Sequence, residues 1–185
     1  AQCQRCGSRE RHRLLWHYIE NKTSLREGGK RILYFAPPEK FMNKLEECGN
    51  DVVSTDLVRE KVDVKADITR LPFNNGTFDA IICSHILEHI PDDDVAISEL
   101  KRVLVSGGDA LIMVPKDKGR EETYEDDSIT APEARRREFG QENHVRWYGK
   151  DFVDRLSESG FSVSSKTYAK SLDDETITRY GLKVY

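Results

Sequence analysis

The sequence lacks the features that mark a membrane protein, a secreted protein or a strong binder of polyanions. No apolar run is long enough to span a membrane, and the N-terminus shows no signal-peptide pattern. The formal net charge is only −4, although 34% of the residues are charged. Such a balance argues against an extended nucleic-acid surface. Together these absences predict a soluble, cytoplasmic protein that does not contact membranes.

Cysteine is also scarce, with four residues at unequal spacing. Disulfide frameworks use denser and paired cysteines, so the pattern favours a reducing compartment. Cys3 and Cys6 form a CxxCG sequence, the shape of half a zinc ribbon. His12 and His17 could complete a zinc site, but the gap from Cys6 to His12 is shorter than in ordinary zinc fingers. We interpret the pair as reduced thiols, with a zinc site at Cys3 and Cys6 as the alternative.

The length of the chain fits one domain with a hydrophobic core. The chain stops just after Val184, inside a predicted strand, which leaves room for the natural protein to extend at either end. We divide it into an N-terminal segment, residues 1–29, and a main domain, residues 30–185. Within the main domain, residues 116–149 form a long polar insertion. The N-terminal segment holds the CxxC pair and a helix that is predicted to start at Ser8.

Four short apolar runs carry the main domain, and each has the length of a buried strand. Helix-type patterns lie between the first two runs and between the last two. Such alternation predicts a parallel sheet, in which ligands bind beyond the carboxyl ends of the strands. Asp56 comes directly after the second run and is well placed to hold the ribose hydroxyls of a nucleoside cofactor. The runs are residues 32–35, 52–55, 80–83 and 110–114.

Several motifs in this stretch resemble the class I S-adenosylmethionine-dependent methyltransferases, in the branch that contains the ubiquinone-biosynthesis type. They are Leu-Pro-Phe at 71–73, Thr-Phe-Asp-Ala-Ile-Ile-Cys-Ser-His-Ile-Leu-Glu-His-Ile at 77–90, Glu-Leu-Lys-Arg-Val-Leu at 99–104 and Gly-Gly at 107–108. The N-terminal CxxCGSxxRHRLLW and the aromatic stretch at 139–149 resemble an uncharacterised bacterial and archaeal subgroup. The resemblance implies a Rossmann-like α/β fold with a mostly parallel, seven-stranded sheet and helices on both faces. Residues 161–168 and 181–185 would then form its antiparallel C-terminal strand pair.

The resemblance also implies S-adenosyl-L-methionine as the cofactor and assigns residues to its pocket. Asp67 falls where the family places a carboxylate near the adenine amino group, and Ile68 where an apolar side chain covers the ring. His85 is expected to contact either cofactor or substrate, and His89 to lie behind it. The full set of expected cofactor-binding residues is Arg13, Phe35, Ala36, Pro37, Asp56, Leu57, Asp67, Ile68, Ser84, His85 and His89.

One family feature is missing, the glycine-rich turn after the first strand. Ala36, Pro38 and Lys40 stand where the three glycines are expected, and Tyr34 replaces the usual acid. Proline fixes φ and offers no N–H, so this turn is stiffer and poorer in donors. Either the protein binds the cofactor through compensating contacts or it has become a binding module without methyl transfer. The retained acids, among them Asp56, favour the first interpretation.

A compensating contact is available in the first helix. The cofactor ends in an amino-acid carboxylate, and a guanidinium fork matches the two oxygens of such a group. We expect the helix to close over the cofactor, with Arg11 or Arg13 on its carboxylate. The competing interpretation is that both arginines are solvated surface residues or hold the helix against acidic loop residues.

Methyl transfer is an in-line displacement whose rate depends on positioning of the acceptor. An oxygen or nitrogen acceptor can also need a base, and imidazoles ordinarily titrate in the right range, so His85 and His144 are the catalytic candidates. Cys83 to Ile86 does not match the Asn/Asp-Pro-Pro-Tyr/Phe run of enzymes that methylate planar amino groups. We therefore predict a small-molecule or sugar-containing acceptor beneath a lid formed by residues 116–149. An RNA or protein acceptor is the alternative.

Overall fold

The computed structural model describes residue 3 and residues 7–182 of the chain. One sheet of five strands organises it, and the strands in chain order are β1 (Arg31–Phe35), β2 (Asp51–Asp56), β3 (Val64–Lys65), β4 (Phe78–Ser84) and β5 (Leu104–Met113). They lie in the order β3-β2-β1-β4-β5, and every neighbouring pair is parallel. The parallel sheet predicted from the four apolar runs is confirmed.

Helices cover both faces of this sheet, as the strand-helix alternation predicts. They are α1 (Glu10–Lys22), α2 (Glu39–Glu47), α3 (Asp93–Val103), α4 (Pro132–Phe139), α5 (Phe152–Glu158) and α6 (Asp174–Tyr180). Short 3₁₀ turns lie at Leu25–Glu27, Leu87–His89 and Tyr168–Ser171. In the described part of the chain no helix combines the length and the apolar character needed to cross a membrane.

The central strands divide the hydrophobic core into two layers, because successive side chains of a strand point to opposite faces. Leu33 and Phe35 pack against residues of α3 and α5. Ile32 and Tyr34 pack on the other face, where α1 contributes Leu15 and two further side chains. Both layers consist of buried apolar side chains, whose packing holds the carboxyl ends of β1 and β4 in a fixed place.

The first helix begins two residues later than Ser8, the capping residue expected from the sequence. Arg9 is the last residue before α1, and its backbone N–H donates to Nδ1 of His12 at 3.3 Å. Ser8 is buried, and its carbonyl accepts from the Cys3 N–H and from Arg13 Nη1, each at 2.8 Å. Ser8 therefore closes the turn before the helix rather than capping it.

The two glycines at 107–108 lie within the last strand of the sheet and do not end the helix before it. α3 ends at Val103, and β5 starts at the next residue. The glycines lie in a bulge of β5, where the register against β4 shifts. Gly107 has φ +77°, and a Cβ on Gly108 would stand 2.8 Å from the carbonyl oxygen of Asp79. Glycine is thus needed for the bulge, which sequence periodicity does not reveal.

The seven-stranded sheet is not confirmed, and the predicted C-terminal strand pair is the reason. Residues 161–167 form no strand, and α6 with its C-cap Gly181 occupies the sequence before the second predicted strand. Residues 183–185 lie outside the described residues. The described β5 pairs only with β4, and a groove of about 630 Å³ runs along it, lined by residues such as Leu14, Tyr18 and Phe161.

The antiparallel pair that does exist lies in the polar insertion. Its strands are β6 (Tyr124–Glu125) and β7 (Arg146–Trp147). The insertion is folded onto the domain, because Phe139 and Tyr148 are fully buried and the Asp117 N–H donates to the Tyr148 carbonyl at 2.9 Å. Its short elements depend on tertiary contacts, so no sequence period marks them.

Candidate functional site

The loops after β1, β2 and β4 lie together at one edge of the sheet, because parallel strands end at the same edge, and the space between these loops is called the crevice. Phe35 pairs with Thr55, the penultimate residue of β2. The next backbone N–H, from Ala36, donates to the Thr55 carbonyl at 2.8 Å. After β4, the His85 N–H donates to the Met113 carbonyl at 2.8 Å. Both loops thus leave the sheet at fixed positions.

Asp56 stands at the bottom of this crevice and organises the loop that follows it. Its Oδ1 accepts from the backbone N–H groups of Val58 at 2.7 Å and Arg59 at 3.1 Å. Its Oδ2 lies 3.4 Å from Arg59 Nε, and Arg59 also donates to the Pro37 carbonyl at 3.1 Å. Asp56 and Arg59 therefore link the loops after β1 and β2. The second carboxylate oxygen faces the half-exposed guanidinium of Arg59.

The turn after β1 contains no glycine, yet one of its residues adopts the left-handed backbone conformation that glycine favours. Ala36 adopts φ +46°, in the left-handed region that costs a residue with Cβ about 1–2 kcal/mol. Pro37 follows it and further disfavours helical φ and ψ at the preceding residue. Packing around Pro37, which is buried, maintains this strained turn. Strained residues of this kind cluster at functional sites.

The other expected cofactor residues fall into three groups by their exposure. Leu57 is 56% exposed at the mouth of the crevice, and Asp67 is exposed, with Oδ1 accepting from the N–H of Thr69 at 2.9 Å. Phe35 and Ile68 are buried in the core, so they support the crevice from beneath. Ser84 and His89 are half-buried. The crevice therefore has an apolar floor and a polar rim.

The N-terminal turn of α1 lies beside the crevice. The His12 ring meets Phe41, in the first turn of α2, edge-on at 5.6 Å. Arg11 is half-buried, and its Nε has no hydrogen-bond partner among the described residues. Burial lowers the pKa of Arg11, as does Arg9, whereas Glu88 and Tyr34 act in the opposite direction. Arg11 is thus a guanidinium close to the β1 and β4 ends with spare donors.

Arg13 is placed differently from the expectation. Its guanidinium donates to the carbonyls of Tyr180 and Gly181, at the end of α6, and to the carbonyl of Ser8. These bonds satisfy carbonyls that a helix end leaves without partners. Arg13 therefore joins α1 to α6, and its donors are already used.

His85 directly follows β4 and has a strained backbone with φ +58°. Its Nδ1 lies 3.0 Å from Oε1 of Glu88, and its side chain is 26% exposed toward the crevice edge. Glu88 is fully buried in the 3₁₀ turn 87–89. A carboxylate on Nδ1 orients an imidazole and leaves Nε2 for a reacting group.

Two further histidines, His89 and His144, lie close to Glu88. The rings of His89 and His144 are 4.8 Å apart, and ligand atoms of Glu88, His89 and His144 all lie within 4.8 Å of one another. His144 is only 3% exposed, and burial lowers its pKa. The insertion brings it here, since the Val145 N–H donates to the Glu88 carbonyl at 3.0 Å. His85 and His144, the two expected catalytic histidines, therefore both lie next to Glu88.

A buried ion network attaches the insertion to this turn. Arg146 donates to the carbonyls of Ile90 at 2.5 Å and Pro91 at 2.8 Å, and pairs with Asp93 at 3.4 Å. The hydroxyl of Tyr148 donates to Asp93 Oδ2 at 2.7 Å. No role is assigned to Asp93 from the sequence, and its position as a buried anchor is seen only in the structure. Charges of opposite sign at 93 and 146 were the only available signal.

Each of the N-terminal histidines considered as a zinc ligand has one ring nitrogen in a hydrogen bond. Nδ1 of His12 accepts from a backbone N–H, and Nδ1 of His17 lies 2.9 Å from the Tyr168 hydroxyl. Among residues 3 and 7–182, Cys3 joins no cluster of three possible metal ligands. Cys6 lies outside the described residues. The zinc alternative at Cys3 and Cys6 therefore gains no support.

Glu88 is the site residue that sequence reasoning did not single out. In the sequence it stands within the motif at 77–90, and glutamate is mostly a solvated residue. Its position three residues after His85 was a usable signal. Residues three apart in a helical turn face the same side.

Comparisons with known proteins agree with this geometry. A family model described as a methyltransferase domain matches residues 22–112, just under half of the chain. Residues of this chain are 48% identical to the demethylmenaquinone methyltransferase of Streptomyces avermitilis over 46 residues. That segment is 25% of this chain and only 20% of the relative, so the chain matches a small part of it.

Solved structures extend the likeness over most of the chain. An S-adenosylmethionine-dependent methyltransferase from Mesorhizobium loti has a TM-score of 0.64 at 18% identity, covering 90% of this chain and 89% of that one. The 1,6-didemethyltoxoflavin-N1-methyltransferase of Burkholderia thailandensis has a TM-score of 0.60 at 16% identity, covering 85% and 69%. At such identities the likeness establishes the fold. The chain therefore has the α/β Rossmann-like fold of these methyltransferases, and residues 22–112 match a methyltransferase-domain model.

Proposed function

We propose that this chain, whose residues 22–112 carry the methyltransferase domain, transfers a methyl group from S-adenosylmethionine to a small acceptor. The observation that carries the proposal is the crevice at the ends of β1, β2 and β4, with Asp56 at its base. When bound there, the cofactor supplies an electrophilic methyl group. The chain has to hold the cofactor, align the acceptor and remove a proton where the acceptor carries one.

The residues of the crevice fit this cofactor. Asp56 can turn one carboxylate oxygen to the ribose hydroxyls once Arg59 moves aside, and Leu57 and Asp67 stand at the rim expected for adenine. The turn at Ala36 has the left-handed backbone that glycine usually provides, so the chain can pass close to the ligand. Arg11 offers an unpaired buried Nε to the cofactor carboxylate. In this proposal Arg11 takes the role that the sequence favoured for Arg13.

His85 is the proposed general base. Glu88 accepts from its Nδ1 at 3.0 Å, so Nε2 carries the free lone pair that takes the acceptor proton. The methyl–sulfur bond breaks as the methyl–acceptor bond forms, and the proton goes to His85. His144 is buried behind Glu88 and has no comparable access. In this proposal His144 packs beside Glu88 and does not serve as the base.

The acceptor is proposed to be a small molecule. Two proteins that this chain resembles carry small molecules in their names, demethylmenaquinone and 1,6-didemethyltoxoflavin. The folded insertion contacts the turn after β4, where Nδ1 of His89 meets the Asn143 carbonyl, and this position suits a lid better than an open macromolecular surface. A binding module without methyl transfer is the competing function, because the glycine-poor turn could bind the cofactor without activating it.

Calorimetric titration of the full chain with S-adenosylhomocysteine tests the cofactor site. We expect one binding site, and Asp56→Asn should weaken it about 10- to 150-fold, since a charge-assisted hydrogen bond contributes about 1.5–3 kcal/mol. Asp51→Asn is the matched control. Asp51 lies at the opposite end of β2, exposed and 3.4 Å from Arg31, so its change should leave the dissociation constant unaltered.

Transfer itself is measured with S-adenosylmethionine labelled in the methyl group and a panel of small phenols, quinols and sugars. Label in an acceptor supports the enzyme, and binding without transfer to any acceptor supports the module. Absence of binding in the unaltered chain, or equal binding by the Asp56 variant, would refute the cofactor site.

A further inference from the structure

Glu88, His89 and His144 form a cluster of possible metal ligands. The proposed methyl transfer uses only Glu88, which orients His85. We propose that these three side chains bind one divalent transition-metal ion, with Zn²⁺ as the ion that best suits two imidazoles and one carboxylate. Zinc sites with two histidines and one glutamate keep a fourth position open. Such a position could take water or an oxygen of the acceptor, since the cluster lies next to His85.

The hydrogen bonds of the two imidazoles favour metal binding. Nδ1 of His89 lies 3.0 Å from the carbonyl of Asn143, and Nδ1 of His144 lies 3.1 Å from the carbonyl of Phe139. A carbonyl can only accept, so each Nδ1 carries the proton and each Nε2 keeps its lone pair. Metal-binding histidines are held in this way, with the other ring nitrogen donating to a backbone carbonyl or a carboxylate.

Glu88 supplies the third ligand and an independent indication. Its Oε1 is taken by His85, but Oε2 is buried without a hydrogen-bond partner among the described residues. A buried carboxylate oxygen with no partner is costly, and such groups are usually paired or coordinate a metal. The side chain is 0% exposed, so bulk water does not solvate it.

The spacing of the three ligands requires only a small adjustment. Zinc bonds of about 2.0–2.1 Å place neighbouring ligand atoms roughly 3.3 Å apart in a tetrahedron. The ligand atoms here lie within 4.8 Å of one another. His89 is half-buried and can move by this amount, whereas Glu88 and His144 are held by the core.

Arg11 offers a competing explanation for the buried carboxylate. It is the cation that interacts with Glu88 across the crevice, and its charge opposes a second cation nearby. In that case the two histidines would be neutral packing residues and no metal would bind. The two explanations differ in metal stoichiometry.

The experiment uses the full chain with Cys3→Ser and Cys6→Ser, so that the thiols of the CxxC pair cannot contribute. After removal of metal with a chelator, the protein is titrated with Zn²⁺ and its metal content is measured after gel filtration. We expect one equivalent of zinc and a rise in melting temperature. Cobalt substitution should give visible ligand-field bands without the thiolate-to-cobalt charge-transfer band.

Variants identify the ligands. His89→Gln, at a half-buried position that tolerates the change, should lose the bound metal, as should His144→Gln and Glu88→Gln. His17→Gln is the matched control, because His17 lies on α1 outside the cluster and should leave one equivalent in place. Titration with S-adenosylhomocysteine in parallel shows that each variant is folded and tests the cofactor site separately. Less than one-tenth of an equivalent in the parent, or full retention in the His89 and His144 variants, would overturn the metal site.

Discussion

Replacement of Arg11 by methionine should separate cofactor binding from folding. The Nε of Arg11 is buried with no partner, and an unsatisfied buried donor costs about 1–3 kcal/mol. Methionine keeps much of the apolar stem without that donor. Because the side chain is only half-buried and also loses its attraction to Glu88, we expect the free energy of unfolding to stay unchanged or rise by up to about 1 kcal/mol.

The affinity for S-adenosylhomocysteine, by contrast, should fall. A guanidinium on the cofactor carboxylate contributes about 1.5–3 kcal/mol, so Arg11→Met should weaken S-adenosylhomocysteine about 10- to 150-fold. Binding of 5′-methylthioadenosine, which lacks the carboxylate, should not change. Calorimetry with both ligands measures this difference, and urea unfolding measures stability on the same preparations.

Arg13→Met is the matched comparison, because Arg13 lies on the same helix but donates to carbonyls of Tyr180, Gly181 and Ser8. It should lower the free energy of unfolding by about 1–2 kcal/mol, or several degrees in melting temperature, and leave the ratio of the two affinities unaltered. Equal loss of both ligands in the Arg11 variant, or loss of neither, would show that the carboxylate is held elsewhere.

Two further predictions concern stability. Arg146→Met removes one of the two arginine partners of buried Asp93, the ion pair with Glu125 and three carbonyl contacts, and should cost about 3–5 kcal/mol in urea unfolding. Arg136→Met, in an exposed pair with Glu142, should cost less than about 1 kcal/mol. Equal losses would contradict the anchoring role. Burial, with Arg11 and Arg9 nearby, lowers the pKa of His12 in the folded chain from its ordinary value near 6.5 to about 4. Between about pH 6.5 and pH 4, His12 therefore binds more protons in the unfolded chain than in the folded chain. Stability should therefore fall as pH drops through this window, and a fall of equal size in His12→Gln would count against the assignment.

The parallel sheet could be predicted from the sequence because its strands are buried on both faces. Such strands appear as short continuous apolar runs, and the runs at 32–35, 52–55 and 80–83 lie within β1, β2 and β4. The position of Asp56 followed from the same pattern, since it is the residue at which β2 ends. The C-terminal strand pair was inferred from the family resemblance, and the apolar residues at 161–168 do not form a strand here.

The contacts around Glu88 could not be predicted, because they join segments far apart in the chain. His144 reaches Glu88 from 56 positions away only because Arg146 and Tyr148 anchor the insertion to the turn before α3. Arg11 and Arg13 look alike in the sequence. Their different roles arise because a helix turns about 100° per residue, which directs Arg13 to the end of α6 and Arg11 to the crevice. Local periodicity thus determined the sheet and the crevice, whereas tertiary packing decided which polar side chains meet there.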